Sequence, residues 1–440
     1  MKDKIAFVLA GGGAKGAYQI GVWRAFHENG IEPDIVTGTS IGAFNGALIV
    51  QGDLKKAWEI WENMDSATLL GLEKENKSGK LEAAITITGE AIEQKGISTE
   101  QLKNFLDENI DENKIRDSKI EYGIVTVEVP DFKPLRLFKE EIPKGKLSEY
   151  ILSSASIFPA LKYNEMDGKK FIDGGYMDNR PENMAADKGA TTIYSIELRS
   201  KTKLPKIIGM RPYKGDEAKV VLIQSQWDLG SFYFTDSTLA LRNLNLGYMD
   251  GLKTLGKVKG TIYAITDETG IYSITGEFQK LLRKISPDKI FKIDSPYLKL
   301  RDLDFEEETR NILLLIELLS EMFQIDPTRK YTLYELKTAI SVAFSQFLTD
   351  ISSKNKTEFT DFLSEIKNKE FDLSEKITSI FSEKSKNYPL SLFLVYSFYK
   401  NIQELLNEPE KENSAIYEKF TDIFSLPFYL AVMLSVIEQY

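Results

Sequence analysis

Within residues 34–47, Asp-Ile-Val-Thr-Gly-Thr-Ser-Ile-Gly-Ala-Phe-Asn-Gly-Ala, the chain has to pass from a buried strand into a helix in very little space. Ile35 and Val36 read as the strand, and Ala43 to Val50 read as a helix packed behind it. Between them Gly38-Thr39-Ser40-Ile41-Gly42 spells G-x-S-x-G. Gly38 and Gly42 permit a sharp turn because they carry no Cβ, and Ser40 is left at the tip in a strained conformation with its hydroxyl exposed. The first helical N–H groups and the positive helix end then lie near any oxyanion formed beside that hydroxyl. Taken alone, the pattern also fits a Gly-rich turn whose serine merely caps the helix.

The preceding residues extend the same architecture. Ile5 to Ala10 is an apolar run ending in Gly11-Gly12-Gly13-Ala14-Lys15-Gly16. A helix is expected from about Ala17 to Glu28, with Ile20, Trp23 and Phe26 on the sheet side, Arg24 toward solvent and Gly30 as its stop. Strand, Gly-loop, helix, strand, Ser-elbow, helix is a βαβ unit with both loops at the carboxyl ends of parallel strands. The first apolar run is too short for a signal-peptide core and reads as a strand. Farther on, a helix is expected over 53–64, then a polar, irregular excursion over 65–97 that reads as an inert loop or a lid. Ser98 to Gln101 resembles a capping box opening a helix to about Asn109. β-rich runs at Tyr122–Val129 and Leu135–Phe138 precede a helix over 146–156 and a hairpin turn at Asp167-Gly168. Phe171-Ile172-Asp173-Gly174-Gly175, a helix over 182–188 and a strand over 192–198 follow.

A serine hydroxyl is a poor nucleophile unless a base takes its proton. The chain has one histidine, His27, near the far end of the first helix. About eleven residues at ~1.5 Å rise put it ~16 Å from the catalytic edge, so a Ser-His-Asp triad is not expected. Acid–base work falls to a carboxylate, and Asp173 is the candidate, at a strand end followed by two glycines that let another loop approach. Gly11, Gly12 and Gly13 can point backbone N–H groups into one space, an anion-binding nest suited to a tetrahedral oxyanion. The same stretch fits G-x-G-x-x-G of a dinucleotide site, but such a site wants an acid at the end of the second strand, where this chain has the serine. No Gly-Lys-Ser/Thr follows, so it is not a Walker loop. With no cysteine, one histidine and no calcium-loop spacing, neither metal nor cofactor is expected.

Together, Gly11-Gly12-Gly13-x-Lys15-Gly16, Gly38-x-Ser40-x-Gly42 and Asp173-Gly174-Gly175, in this order, resemble the patatin-like phospholipase family. The flanking Gly16-Ala17-Tyr18-Gln19-Ile20-Gly21-Val22 and Ile157-Phe158-Pro159 agree, over roughly residues 4–200, with a weaker echo at Leu241 to Tyr248. The resemblance implies a three-layer α/β/α domain with a mostly parallel central sheet, and a lipid acyl hydrolase using a Ser-Asp dyad. It implies Ser40 as nucleophile, Asp173 as base, and an oxyanion hole at Gly11, Gly12 and Gly13, with Gly12 and Gly13 as donors. Lys15 stands where the family has arginine or lysine, either tying down the loop or meeting a lipid phosphate. A broad esterase or thioesterase, and a catalytically silent lipid-binding scaffold, are the alternative readings.

At 440 residues the chain exceeds one compact core, and its texture changes near residue 265. Residues 1–265 are expected to hold the hydrolase domain and 266–440 an α-helical domain, with helical spacing at 312–323, 333–348, 359–366, 390–406 and 424–437. A net charge of −10 argues against nucleic acid as a partner. Against that average, Arg199, Lys201, Lys203, Lys206, Arg211 and Lys214 fall in an acid-free stretch. It reads as a solvated loop, with peripheral contact to an anionic membrane through 199–214 as the alternative. No segment reaches the ~20 apolar residues of a membrane span, so the expected location is cytoplasmic or peripheral to a membrane.

Overall fold

In a computed structural model, residues 3–65, 98–199, 213–286, 308–354, 390–407 and 425–439 are described, and the apolar runs of the first half of the chain line up in one sheet. In chain order come β1 (Ile5–Leu9), α1 (Ala17–Glu28), β2 (Ile35–Thr39), α2 (Ile41–Gln51), α3 (Leu54–Glu62), α4 (Glu100–Asn109) and α5 (Glu112–Asp117). β3 (Glu121–Val129), β4 (Lys133–Phe138), α6 (Leu147–Ala155), β5 (Asn164–Met166), β6 (Lys169–Asp173), α7 (Glu182–Asp187), β7 (Thr192–Glu197), β8 (Lys219–Gln224) and α8 (Ser237–Thr254) complete this half. The sheet order is β5-β6-β3-β2-β1-β7-β8, with β4 also pairing β3. From β3 through β2, β1 and β7 to β8 every pairing is parallel. Antiparallel pairing enters on one side only, where β4 and β6 both pair β3 and β5 pairs β6.

Helices cover both faces, giving three layers. On one face α1, α2, α3, α6 and α8 bury Tyr18, Trp23, Phe26, Phe44, Trp61 and Ile151. On the other, Met184 and Ala185 of the short α7 pack against Ala6, Val8, Ile35 and Ile193. α2 is buried from Gly42 to Val50, which explains why its sequence is apolar on every face. The α1–α8 crossing is unusually close. A Cβ at Gly21 would lie 1.9 Å from the Leu244 carbonyl oxygen, and one at Gly247 2.0 Å from that of Tyr18. The echo at 241–248 is therefore the other half of a glycine-to-backbone helix contact. Arg24, expected toward solvent, keeps 38% of its side chain exposed while lying over the rings of Trp58 and Tyr248 and pairing with Glu28. The expected capping box at Ser98 is not formed: the N-cap is Thr99, with no side-chain bond.

Two compact units divide at Leu255 and Gly256, ahead of the change in texture near 265. The second unit is not wholly helical, because β9 (Ala264–Asp267) pairs with β10 (Lys330–Thr332). Its helices are α9 (Ile271–Ile285), α10 (Glu308–Met322), α11 (Leu333–Lys354), α12 (Leu390–Asn407) and α13 (Ser425–Gln439). α13 is buried continuously from Leu426 to Ile437, the helix around which the others of this unit pack. Glu317 of α10, 1% exposed, accepts the backbone N–H groups of Thr261, Ile262 and Tyr263 at 2.8 Å each. The excursion at 66–97, the helix expected at 359–366 and most of the basic stretch, 200–212, lie outside the described residues. Among the described residues no helix is long and apolar enough to cross a membrane.

Candidate active site

Sheet register brings the two candidate side chains together. Thr39, the last residue of β2, pairs with Val125, and the next residue of β3, Thr126, pairs with Asp173 at the end of β6. Ser40 and Asp173 thus emerge at one edge of the sheet although 133 positions separate them. Ser40 has φ 57° and ψ −128°, a backbone state costly for a residue with a Cβ, on the order of 1–3 kcal/mol. Packing leaves the turn no alternative. A Cβ at Gly38 would lie 2.2 Å from the Gly42 carbonyl oxygen, and one at Gly42 2.1 Å from that of Leu9. The strained N–H of Ser40 donates to Ser154 Oγ at 2.8 Å, and Ser154 donates in turn to the Val125 carbonyl at 2.6 Å. The serine is 6% exposed, so the elbow tip sits recessed between two pockets and not on the open surface as its sequence suggested.

Asp173 is 4% exposed. Its N–H donates to the Ser156 carbonyl at 2.9 Å, and its Oδ1 accepts the Gly175 N–H at 2.6 Å. Burial pushes the Asp173 carboxyl up from 3.8 to about 6, with the Ser40 hydroxyl and the Gly175 N–H pulling the other way. A carboxylate held at that value is ionised near neutrality yet basic enough to accept a hydroxyl proton. Gly174 has no room for a side chain, since a Cβ there would stand 2.2 Å from the Val125 carbonyl oxygen.

The Gly-loop runs beside them. Gly11 cannot serve as an oxyanion donor, because its N–H is engaged by the Asn179 carbonyl at 3.2 Å. Asn179 also donates from Nδ2 to the Gly11 carbonyl at 3.3 Å, locking the two loops together. Ala14 N–H is likewise taken, by the Phe232 carbonyl at 2.8 Å. Between them, the N–H groups of Gly12 and Gly13 have no bonded partner among the described residues. Gly13 adopts φ 59°, and a Cβ there would lie 2.2 Å from the Phe232 oxygen.

A buried amide network, not anticipated from the sequence, holds this loop to the elbow helix. Asn45 of α2 donates from Nδ2 to the Gly16 carbonyl at 2.9 Å and to Gln19 Oε1 at 2.8 Å, and accepts Trp61 Nε1–H at 2.9 Å. Gln19 donates to the Ala10 carbonyl at 2.8 Å. A polar residue inside an apolar helix was the available signal: Asn45 lies among Phe44, Gly46, Ala47 and Leu48.

Ser40 borders two cavities. One, of about 120 Å³, is walled by hydrocarbon from α2, α3, α4 and α6. The other, about 460 Å³, also borders Asp173 and includes Lys15, Tyr176, Asn179 and Arg199. Arg199 is held by Glu197 at 2.5 Å, and β7 runs parallel to β1, so the basic stretch leaves from this edge. His27 lies in the last turn of α1 beside Glu32 with 46% of its side chain exposed, away from the serine. Among the described residues there is no cluster of His, Asp or Glu able to hold a metal ion.

The fold and this edge define an α/β domain with a strained serine at a strand-to-helix turn, on one cavity with a buried carboxylate. Residues 7–186 match the family model of the patatin-like phospholipases. Patatin-like phospholipase domain-containing protein 7 of Mus musculus is 29% identical over 204 residues, covering 45% of this chain and 14% of that protein. The Homo sapiens domain-containing protein 6 is 30% identical over 203 residues, with the same coverage of each. Lysophospholipase NTE1 of Saccharomyces cerevisiae is 27% identical over 269 residues, 58% of this chain and 14% of that protein. The chain thus spans about one seventh of the length of these relatives. Among solved structures, VipD from Legionella pneumophila aligns over 99% of this chain and 92% of its own at 12% identity and a TM-score of 0.36.

Proposed function

We propose that the chain is a lipid acyl hydrolase that cleaves carboxylic esters of glycerolipids, of the phospholipase A or lysophospholipase type. One observation carries the reading: Ser40 and the buried Asp173 carboxylate border one cavity, beside two backbone N–H groups that nothing described engages. The names of the mouse, human and yeast relatives, phospholipase-domain proteins and a lysophospholipase, support the lipid class.

In this reading Ser40 Oγ attacks the acyl carbon while its proton passes to Asp173. The tetrahedral oxyanion accepts hydrogen bonds from Gly12 and Gly13; removing one such donor typically costs ~10²–10³ in rate. Asp173 then returns the proton to the departing alcohol oxygen, leaving an acyl ester on Ser40. A water deprotonated by Asp173 attacks that ester, and the fatty acid leaves as Ser40 regains its proton. A base poised at about 6 can serve both half-reactions at neutral pH without an imidazole.

The test is fatty-acid release from lysophosphatidylcholine micelles and from diacylphosphatidylcholine vesicles by the full chain. Wild type is expected to release acid from at least one of them, and Ser40→Ala to lose about 10³-fold or more. Release by neither, or release that survives Ser40→Ala, contradicts the reading.

A further inference from the structure

The two helices beside the apolar cavity fix its direction from the serine. α2 begins at Ser40 and carries Phe44 four residues on, about 6 Å deeper at ~1.5 Å per residue. α6 runs the opposite way: Ser154 near its end accepts the Ser40 N–H, and Ile151 lies three residues back, about 4.5 Å deeper. Phe44 and Ile151 therefore line the cavity one turn below the serine. Phe105 of α4 packs on Phe44 there with ring centroids 5.3 Å apart, and Leu102, one turn earlier on α4, lines the same space. The indole N–H of Trp61, which could have made this wall polar, is turned to Asn45. The pocket is partly open, and its volume, about 120 Å³, is close to that of an apolar cavity of roughly 150 Å³ that binds benzene, so it holds about six carbons.

We propose that this cavity is the acyl-chain pocket and that Phe105 and Leu102 set the chain length it accepts, an inference that rests on the hydrolase reading above. With its carbonyl at Ser40, an unbranched acyl group places about its first six carbons between Phe44, Ile151 and Phe105. The leaving group lies in the second cavity, beside Lys15, Tyr176 and Asn179. The second cavity is also lined by Ile157, Leu198 and Phe232, but it is the one that carries the charged and amide side chains, so it takes the more polar half of the ester. Each methylene buried against such walls is worth about fourfold in kcat/KM until the pocket is full.

The experiment is kcat/KM for p-nitrophenyl esters from acetate to decanoate, on the full chain and on Phe105→Ala and Leu102→Trp, both at half-buried positions. Wild type is expected to gain about fourfold per methylene up to about six carbons and then level off. Phe105→Ala moves the plateau about two carbons longer, and Leu102→Trp moves it shorter by a similar step. Opposite shifts cannot come from a shared loss of folding, and a thermal melt of each variant checks that directly. A length-independent wild-type profile, or an octanoate-to-acetate ratio that neither variant changes by more than about twofold, overturns the pocket while leaving the hydrolase reading intact. Failure of wild type to hydrolyse any of these esters overturns both.

Discussion

Neutralising Asp173 should make the first unit more stable even as it removes activity, and the effect should depend on pH in a definite direction. The folded chain holds the Asp173 proton up to about pH 6, whereas an unfolded carboxyl releases it at 3.8. Between those values the folded state binds more protons than the unfolded one, so this group's contribution to stability falls as pH rises. The interval corresponds to about 3 kcal/mol at ~1.36 kcal/mol per pH unit. Asp173→Asn removes the titration but changes local hydrogen bonding by a pH-independent amount, because its amide donors need new acceptors. The informative quantity is therefore the difference in unfolding free energy, variant minus wild type, followed from pH 4 to pH 8. It should grow by about 2.4 kcal/mol over that range, mostly before pH 7, and flatten above. Urea titrations read by tryptophan fluorescence suit the purpose, since Trp23, Trp58, Trp61 and Trp227 all fall in Met1–Leu255. Wild-type activity should rise along a limb centred near pH 6 as the base ionises. A stability difference that is constant or shrinks with pH would refute the argument that Asp173 is a desolvated carboxylate.

Three further outcomes follow from the geometry. Ser154→Ala leaves the Ser40 N–H buried without its acceptor, at a cost of about 1–3 kcal/mol, and should lower kcat about ten- to a hundredfold with KM little changed, measured by ester kinetics and urea unfolding. Gly42→Ala sets a Cβ 2.1 Å from the Leu9 oxygen, where only backbone can give way, and should abolish soluble expression or lower stability by about 4 kcal/mol or more. In the second unit, Glu317→Ala strips the acceptor from three backbone N–H groups and should unfold that unit by about 3 kcal/mol or more, read as lost hydrogen-exchange protection in α10 and α13.

The sheet and both loops were readable in the chain because each rests on local pattern. Alternating strand and helix signals fix the βαβ order, and the glycines at 38 and 42 mark the one turn that could hold a serine at φ 57°. The Asp173 loop was legible for the same reason, as a strand ending in two glycines. What escaped was long-range pairing. That Gly11 is engaged by Asn179, 168 positions away, depends on how two loops cross, which no spacing within either loop encodes. The Asn45–Gln19–Trp61 network and the Gly21–Gly247 helix contact are of the same kind. The elbow's burial was missed because exposure at a turn tip is a local rule, whereas Phe105, Ile157 and Phe232, which share its cavities, come from segments over sixty residues downstream. β8 and the β9–β10 pair were overlooked because single short strands carry little periodicity of their own.

The most direct measurement is peptide mapping by mass spectrometry after reaction with a fluorophosphonate, which phosphonylates only a serine whose hydroxyl is being activated. The account predicts one adduct, on the peptide bearing Ser40, absent from Ser40→Ala and formed at least about a hundredfold more slowly in Asp173→Asn. An adduct elsewhere, equal labelling with Asp173 replaced, or a folded wild type that does not react would contradict it.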